Sequence, residues 1–166
     1  FPDQNAQSPL QISVEAGDPD GLSEMRLFWA IDGGAWSSQA MTLDEGSPRS
    51  LGTKYRAAIQ AGSQGSVTQF YVVGKDGQGV SASFPARGPD SRALFKVGGP
   101  DLGAGRSHLV RIAMLPQEAK RLHAADSLMS NDPNPCTVIY DENEVFYDCA
   151  VRLRGTCYSR PFDQFV

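Results

Sequence analysis

Apolar and polar residues alternate along most of residues 1–98. The segments PLQISVEAG, SEMRLFWAIDGG and KYRAAIQ each place apolar side chains at every second position, which is the period of a β-strand with one buried face. Turn sequences such as Asp-Pro-Asp-Gly at 18–21 separate these segments, because proline fixes φ and glycine accepts a positive φ. A series of roughly six or seven short strands with such turns predicts a β-sandwich over residues 1–98.

The pattern changes after the glycine-rich stretch GGPDLGAG, whose composition predicts a linker over residues 99–105. Residues 106–166 predict a strand, a helix that begins at Pro116 and runs through PQEAKRLHAADSLMS, and two strands in CTVIY and VFYDCAVRLRG. This β-α-β-β order is typical of the N-terminal part of an α+β domain, so the whole chain is predicted to be mainly β. Roughly 60 residues cover such a sheet poorly, so we expect the remainder of a parent protein or a partner chain to complete it.

The composition narrows the classes of partner. The chain has 15 Lys and Arg against 19 Asp and Glu, a net charge of −4, and 40% hydrophobic residues. This balance supports a packed core and argues against nonspecific nucleic-acid binding, which needs a broad basic surface. Apolar runs also stay far below the about 18 residues that a membrane-spanning helix requires. We therefore expect neither a nucleic-acid partner nor a membrane span.

Three arginines in VRLRGTCYSRP (151–161) form the first candidate site. On a strand, Arg152 and Arg154 share one face, and two neighbouring guanidinium groups attract an anion between them. Phosphate suits this pair because guanidinium offers a planar fork of donors, and Ser159 and Arg160 would add further donors. The alternative is a solvated edge strand in which the arginines pair with nearby acids. Those acids are Glu142, Glu144 and Asp148.

The cysteines provide the second candidate. A regular hairpin with DENE as its loop pairs Tyr140 with Val145 and Cys136 with Cys149. That spacing suits a cross-strand disulfide, which needs Cα atoms about 5.5 Å apart. The alternatives are reduced thiols or pairing of either cysteine with Cys157, which a Cys136–Cys149 disulfide leaves unpaired.

Acidic side chains in two predicted turns form the third candidate. In a sandwich the turn that carries Asp18 and Asp20 and the turn that carries Asp76 meet at one end. Three carboxylates gathered there would suit Ca²⁺, which prefers oxygen ligands. The alternative is that each Asp bonds the backbone of its own turn.

Aromatic residues on the predicted strands allow two interpretations, a carbohydrate-binding face or core packing. Alternation along the strands favours core packing for the set. Its members are Phe28, Trp29, Trp36, Tyr55, Phe70 and Tyr71.

Two stretches resemble known families. DPDGL, LFWAIDGGAW, FYVVGKDGQG and FPARGPD resemble the immunoglobulin-like or fibronectin-type modules of secreted bacterial proteins. HLVRIAMLPQEAKRL and CTVIYDENEVFYDCAVRLRGTCYSRP resemble the N-terminal part of the spore-coat CotH kinase family. The residues that fit that family's motif Arg-x-Arg/Lys-Gly-x-x-Ser-Arg are Arg152, Arg154, Gly155, Ser159 and Arg160.

The second resemblance implies an atypical kinase that uses ATP and a divalent metal such as Mg²⁺ to phosphorylate protein hydroxyls. It also implies that the arginines contact ATP phosphates, while the family's metal-binding acids and catalytic carboxylate lie farther along than residue 166. These residues alone are then expected to be inactive. The other hypothesis is a noncatalytic structural or adhesive module of an extracellular or cell-surface assembly. Both hypotheses predict a secreted, periplasmic or cell-surface location.

Overall fold

The computed structural model describes residues 9–44, 52–60, 62–98 and 108–154, and these residues are mainly β, as predicted. Their strands are β1 (Pro9–Ala16), β2 (Leu22–Ile31), β3 (Ser37–Ala40), β4 (Thr42–Leu43), β5 (Thr53–Gln60), β6 (Val67–Asp76), β7 (Ser81–Phe84), β8 (Leu94–Lys96), β9 (Val110–Ala113), β10 (Asn134–Tyr140) and β11 (Glu144–Val151). A helix, α1 (Pro116–Leu122), follows β9, and a 3-10 turn (Gly88–Asp90) precedes β8.

Strands β1 to β8 form two antiparallel sheets, which we call the sandwich. One sheet has the order β1-β5-β4, and the other has the order β3-β2-β6-β7, with β8 also paired to β6. If β1 is taken as strand B, these orders correspond to B-E-D and C′-C-F-G of an immunoglobulin-type sandwich. The mainly β, sandwich-like character of the first part is therefore confirmed, and the immunoglobulin-like assignment stays a prediction.

The core lies between the two sheets, where the alternating apolar positions face each other. Leu10 and Ile59 come from the first sheet, and Leu27, Phe70 and Phe95 come from the second, and all five are buried. Because strand side chains alternate between faces, the residues next to these positions are mostly exposed or half-buried. The sequence pattern thus places the core correctly.

The C-terminal sheet has the order β11-β10-β9, with α1 in the connection between β9 and β10. The helix ends at Leu122, so its predicted continuation to residue 130 is wrong. From Ala124 to Ser130 the chain forms successive turns, with Ser127 N–H donating to Ala124 O and Ser130 N–H donating to Ser127 O. Asp and Ser compete with the helical backbone for hydrogen bonds, which favours turns here. Within the described ranges, no helix is long and apolar enough to cross a bilayer.

Strands β10 and β11 pair with a change of register. Cys136 lies opposite Cys149, as predicted, but Tyr140 lies opposite Glu144, where a regular hairpin would place Val145. Between these points β11 has one residue more than β10, which defines a β-bulge. The predicted regular hairpin is therefore wrong beyond the cysteine pair.

The bulge consists of Tyr147 and Asp148 opposite Thr137. It turns two consecutive side chains toward the sandwich, whereas a regular strand sends neighbours to opposite faces. The Tyr147 ring packs edge-on against two phenylalanine rings, with centroid distances of 5.9 Å to Phe70 and 6.2 Å to Phe84. The C-terminal sheet thereby contributes an aromatic side chain to the sandwich core.

The second bulge residue, Asp148, binds backbone and hydroxyl groups of the sandwich. Its carboxylate accepts the Arg92 backbone N–H at 2.5 Å and the Ser91 hydroxyl at 3.2 Å. Asp148 has φ of +54°, a left-handed conformation that Asp tolerates better than most residues. The residue type at the bulge therefore fits both its backbone conformation and its contacts.

Thr137 makes a second polar contact between the two parts. Its hydroxyl accepts the buried Leu94 N–H at 2.9 Å and donates to the Arg92 carbonyl. The Arg92 guanidinium in turn pairs with Glu118 of α1, with an N–O distance of 2.7 Å. Both ends of this ion pair are largely buried, so the C-terminal sheet is held in a defined orientation on the sandwich.

The contact at Thr137 predicts a measurable stability difference between two threonines. Thr137→Val removes the acceptor of a buried N–H, so we expect the free energy of unfolding to fall by about 1–3 kcal/mol. Thr68 is equally buried, yet its hydroxyl has no partner in the described part of the chain. Thr68→Val should therefore leave stability unchanged or raise it. Urea unfolding of both variants tests this, and equal losses would show that the exchange of hydroxyl for methyl itself is responsible.

Candidate functional site

The three acidic residues proposed to bind calcium lie in two turns that meet at one end of the sandwich. The Gln78 side-chain amide donates to Asp20 Oδ2 at 2.7 Å, so the predicted proximity of the turns is confirmed. Asp18 Oδ1 accepts the Asp20 N–H, and Asp76 Oδ1 accepts the N–H groups of Gln78 and Val80, each at 2.8 Å. Among the described residues, no group of three such side chains is arranged to hold a metal. The hydrogen bonds of Asp18 and Asp76 stabilise their own turns, as the alternative interpretation predicts, and the calcium site stays a prediction.

The arginines proposed to bind phosphate are placed at the end of β11. Exposure alternates from Val151 to Arg154: Arg152 and Arg154 are exposed, and Val151 and Leu153 are half-buried. The two guanidinium groups thus keep the alternation that was predicted, although β11 itself ends at Val151. Within residues 9–44, 52–60, 62–98 and 108–154, no acidic side chain pairs with either arginine.

Two of the three acids named as alternative partners are engaged elsewhere. Glu142 pairs with Arg111, and Asp148 accepts its hydrogen bonds from the sandwich. Ser159 and Arg160 lie outside the described residues. Arg152 and Arg154 are therefore two exposed cations without an acidic partner among the described residues, on a chain of net negative charge.

Cys136 and Cys149 lie directly opposite each other across β10 and β11, as predicted. Both are free thiols in this structure, so the predicted disulfide between them is not formed. Cys136 is fully buried and Cys149 is half-buried. Cys157 lies outside the described residues. The arrangement is thus a facing pair of thiols beside the β-bulge.

The surroundings of Cys136 suppress its ionisation. Burial, then the neighbouring Cys149, then Glu118 of α1 raise the pKa of the Cys136 thiol to about 11. At neutral pH it therefore carries a proton, and a thiol reacts slowly in this form because the thiolate is the nucleophile. This environment is typical of a structural cysteine and not of a catalytic one.

The aromatic residues predicted to pack in the core fall into two groups. The first group packs in the core and comprises Trp29, Tyr55 and Phe70. The second group lies on the other face of the larger sheet. There the Phe28 and Tyr71 rings stack with their centroids 4.8 Å apart. Trp36 packs edge-on against Tyr71, with a centroid distance of 5.0 Å. Core packing is thus confirmed for one half of the set, while the other half forms a partly exposed cross-strand cluster.

An exposed apolar row crosses the outer face of the C-terminal sheet. Ile112 is the register partner of Val138, which is in turn the partner of Phe146. Direct cross-strand partners point to the same side of a sheet, so these three side chains form one row. Ile112 and Phe146 are each 49% exposed, and Val110, which lies on the same face, is 55% exposed. We call these four residues the open face.

A histidine that the sequence did not distinguish lies beside the β10–β11 turn. His108 Nδ1 is 3.1 Å from Asp141 Oδ2 and 2.6 Å from the Tyr140 hydroxyl. Asp141 Oδ1 also accepts the Leu109 backbone N–H at 2.6 Å. That backbone hydrogen bond, followed by the one with His108, holds the pKa of Asp141 below its ordinary value. These contacts hold the β10–β11 turn against His108 and Leu109, which precede β9.

A cavity of about 630 Å³ lies between the sandwich and the C-terminal hairpin. Residues 9–14 of β1 form one wall, and the inward-facing Phe70 and Phe84 form another. Val145 and Tyr147 of β11 line the opposite side. Most of the lining is apolar and aromatic, and none of the residues proposed to bind phosphate or calcium contributes to it.

Neither the open face nor the cavity was predicted from the sequence. The sequence does carry a signal for the open face. In VFYDCAV, apolar residues occupy consecutive positions, which indicates that both faces of the strand are apolar. The cavity has no such signal, because its walls come from segments that are distant in sequence.

Comparison with known proteins adds no family to this geometry. No protein-family model matches the chain, and no curated protein matches it at a significant level. The resemblance to the CotH family therefore stays a prediction. The structure defines a class, a mainly β protein in which a three-stranded C-terminal sheet is docked on an antiparallel sandwich.

The facing thiols predict a specific oxidation product. With oxidised glutathione, the protein dithiol should become a Cys136–Cys149 disulfide while glutathione is reduced to its thiol. The reaction should accelerate as pH rises, because the raised pKa of Cys136 limits its thiolate fraction.

Peptide mapping by mass spectrometry identifies the linked cysteines. Cys157→Ser should keep the product, and Cys149→Ser should abolish it. Thiols that stay free under excess oxidant, or a bond to Cys157 instead, would contradict the assignment.

Proposed function

We propose that this chain is a noncatalytic module of an extracellular or cell-surface assembly, in which the open face binds another protein. The observation that carries the proposal is the apolar row of Ile112, Val138 and Phe146 on an exposed sheet surface. The other face of the same sheet is occupied by the sandwich. On the outer face, α1 covers the end near Asn134 and Cys136, where Arg121 donates to Asn134 Oδ1 at 2.9 Å. The rest of that face, with the apolar row, stays exposed among the described residues, so the sheet is incomplete as a packing unit there.

The energetics support a protein partner. Fully burying a side chain such as isoleucine or phenylalanine stabilises a complex by about 1.5–3 kcal/mol. The open face has several such side chains within one row, which is the composition of the centre of an interface and not of its rim. A stable complex buries roughly 1,200–2,000 Å², so the partner must also reach beyond this row.

A second candidate function is phosphate contact by Arg152 and Arg154 within a CotH-like kinase parent. The observation that favours it is that both guanidinium groups are exposed and have no acidic partner among the described residues. Two such cations on neighbouring positions suit the phosphates of ATP, with Mg²⁺ and the catalytic acids supplied by other parts of the parent. A protein hydroxyl would then be the substrate.

The open face predicts position-dependent cross-linking. A photoreactive phenylalanine analogue at Phe146, introduced in the cells from which the chain comes, should give a discrete protein adduct. The same analogue at Val80, which is 67% exposed on the sandwich, should give none. Ile112→Lys should abolish the adduct at Phe146, because it puts a charge into the apolar row.

The variants separate interface loss from misfolding. Ile112 is half-exposed, so Ile112→Lys should change the melting temperature little. Equal cross-linking from Phe146 and Val80, or an adduct that survives Ile112→Lys in a folded protein, would refute the proposed interface.

The kinase candidate predicts a nucleotide effect that depends on the arginines. Mg²⁺-ATP should raise the melting temperature of the full-length parent, and Arg154→Ala should weaken nucleotide binding by about tenfold or more. Arg26→Ala is the matched control, because Arg26 pairs with Glu24 on the sandwich. An unchanged shift with Arg154→Ala would show that this arginine does not contact the phosphates.

A further inference from the structure

Strand β1 has one paired edge and one edge that is free among the described residues. It pairs with β5 along its whole length, from Pro9 opposite Gln60 to Ala16 opposite Thr53. Within the described residues, no strand pairs with its other edge. That edge presents backbone N–H and C=O groups, which are strong hydrogen-bonding groups available to an added strand.

The strand order shows what belongs beside this edge. In an immunoglobulin-type sandwich, strand A lies next to strand B, in the sheet order A-B-E-D. The described strands supply B, E and D as β1-β5-β4, and C′, C, F and G as β3-β2-β6-β7. Among them, the place of strand A beside β1 is open. The geometry therefore calls for an extended segment and not for a globular surface.

The cavity lies along this open place. Its wall at β1 consists of the consecutive residues 9–14. Since strand side chains alternate between faces, a space that touches consecutive residues borders the edge of the strand. The cavity is therefore bounded partly by the free backbone edge of β1.

The facing walls are apolar. Phe70, Phe84 and Phe95 project from the larger sheet, and Phe84 is 58% exposed although it lies on the inward side of β7. Tyr147 lines the far side, and its burial there raises the pKa of its hydroxyl. The β10–β11 hairpin borders the cavity without pairing with β1. A strand placed here would bury its inward side chains against aromatic rings.

We propose that an extended segment of a partner protein adds to the free edge of β1 and places alternate apolar side chains in this cavity. Backbone hydrogen bonds to β1 would supply affinity, and the aromatic walls would select apolar residues at every second position. A compact small molecule would fill the apolar space but would leave most of the strand edge unpaired. The site lies on another surface than the open face, so the two proposals stand or fall separately.

The probe is a short capped peptide in which threonine and valine alternate between terminal lysines. Titrated into the full chain, it should shift the backbone amide signals of residues 9–16 in heteronuclear NMR spectra. Alternate amides of β1 should also gain protection from hydrogen exchange. The matched control is the same peptide with N-methyl groups on alternate residues, which blocks hydrogen bonds to β1 and keeps the side chains. This control should bind at least about tenfold more weakly.

A protein variant tests the aromatic wall. Phe84→Ala should weaken binding of the peptide by about tenfold or more, because it removes an exposed ring from the wall without opening the core. Val80→Ala is the control, since Val80 is exposed near β7 but does not line the cavity. Ile112→Lys, which alters the open face, should leave peptide binding unchanged.

Four outcomes would overturn the proposal. The first is no binding at millimolar peptide, and the second is equal binding of the N-methylated peptide. The third is binding that appears only after removal of residues 1–8. The fourth is protection of the β1 amides from hydrogen exchange that rises with protein concentration in the absence of peptide. The first two exclude strand addition. The third assigns the edge to the beginning of this chain, and the fourth assigns it to a second copy.

Discussion

The β-bulge in β11 is the feature on which the placement of the C-terminal sheet depends. It directs both Tyr147 and Asp148 at the sandwich, so that one residue enters the aromatic core and the other binds the backbone at Arg92. A slip of one residue between β10 and β11 would exchange their faces and remove both contacts together. Thr137, opposite the bulge, adds a buried hydrogen bond that depends on the same register. The register of one hairpin therefore sets the contact between the two parts of the protein.

Apolar and polar contacts have different roles at this joint. A buried apolar cluster stabilises the contact between the sandwich and the C-terminal part. Its members are Val67, Leu94, Ala113 and Leu115. The Arg92–Glu118 ion pair and the hydrogen bonds of Asp148 and Thr137 supply orientation, because such groups are costly to bury in any other arrangement. Separation of the two parts would expose the cluster and leave these groups unpaired at the same moment. We therefore expect the joint to open cooperatively and not to slide.

Local patterns predicted the strands, the exposure of Arg152 and the facing positions of Cys136 and Cys149, because each depends on a period of two along the chain. The bulge could not be predicted in this way, since contacts with distant Ser91 and Arg92 favour its extra residue. The end of α1 was missed because apolar spacing continues after Leu122 while Asp and Ser already favour turns. The cavity has walls from five separate segments, and no local signal describes such a space.

The edge of β1 that has no neighbouring strand in the described part of the chain also bears on solubility. Sheets usually protect their edges with lysine, proline or bulges, and β1 does have Pro9 at its first position. The segment LQISV that follows carries no charge, and Glu15 comes after it. An edge of this kind is a template for any extended chain, including a partly unfolded copy of the same protein. An extended segment bound at this edge would therefore also protect the protein against fibrous aggregation, and we expect solubility to be lowest while the edge is unpaired.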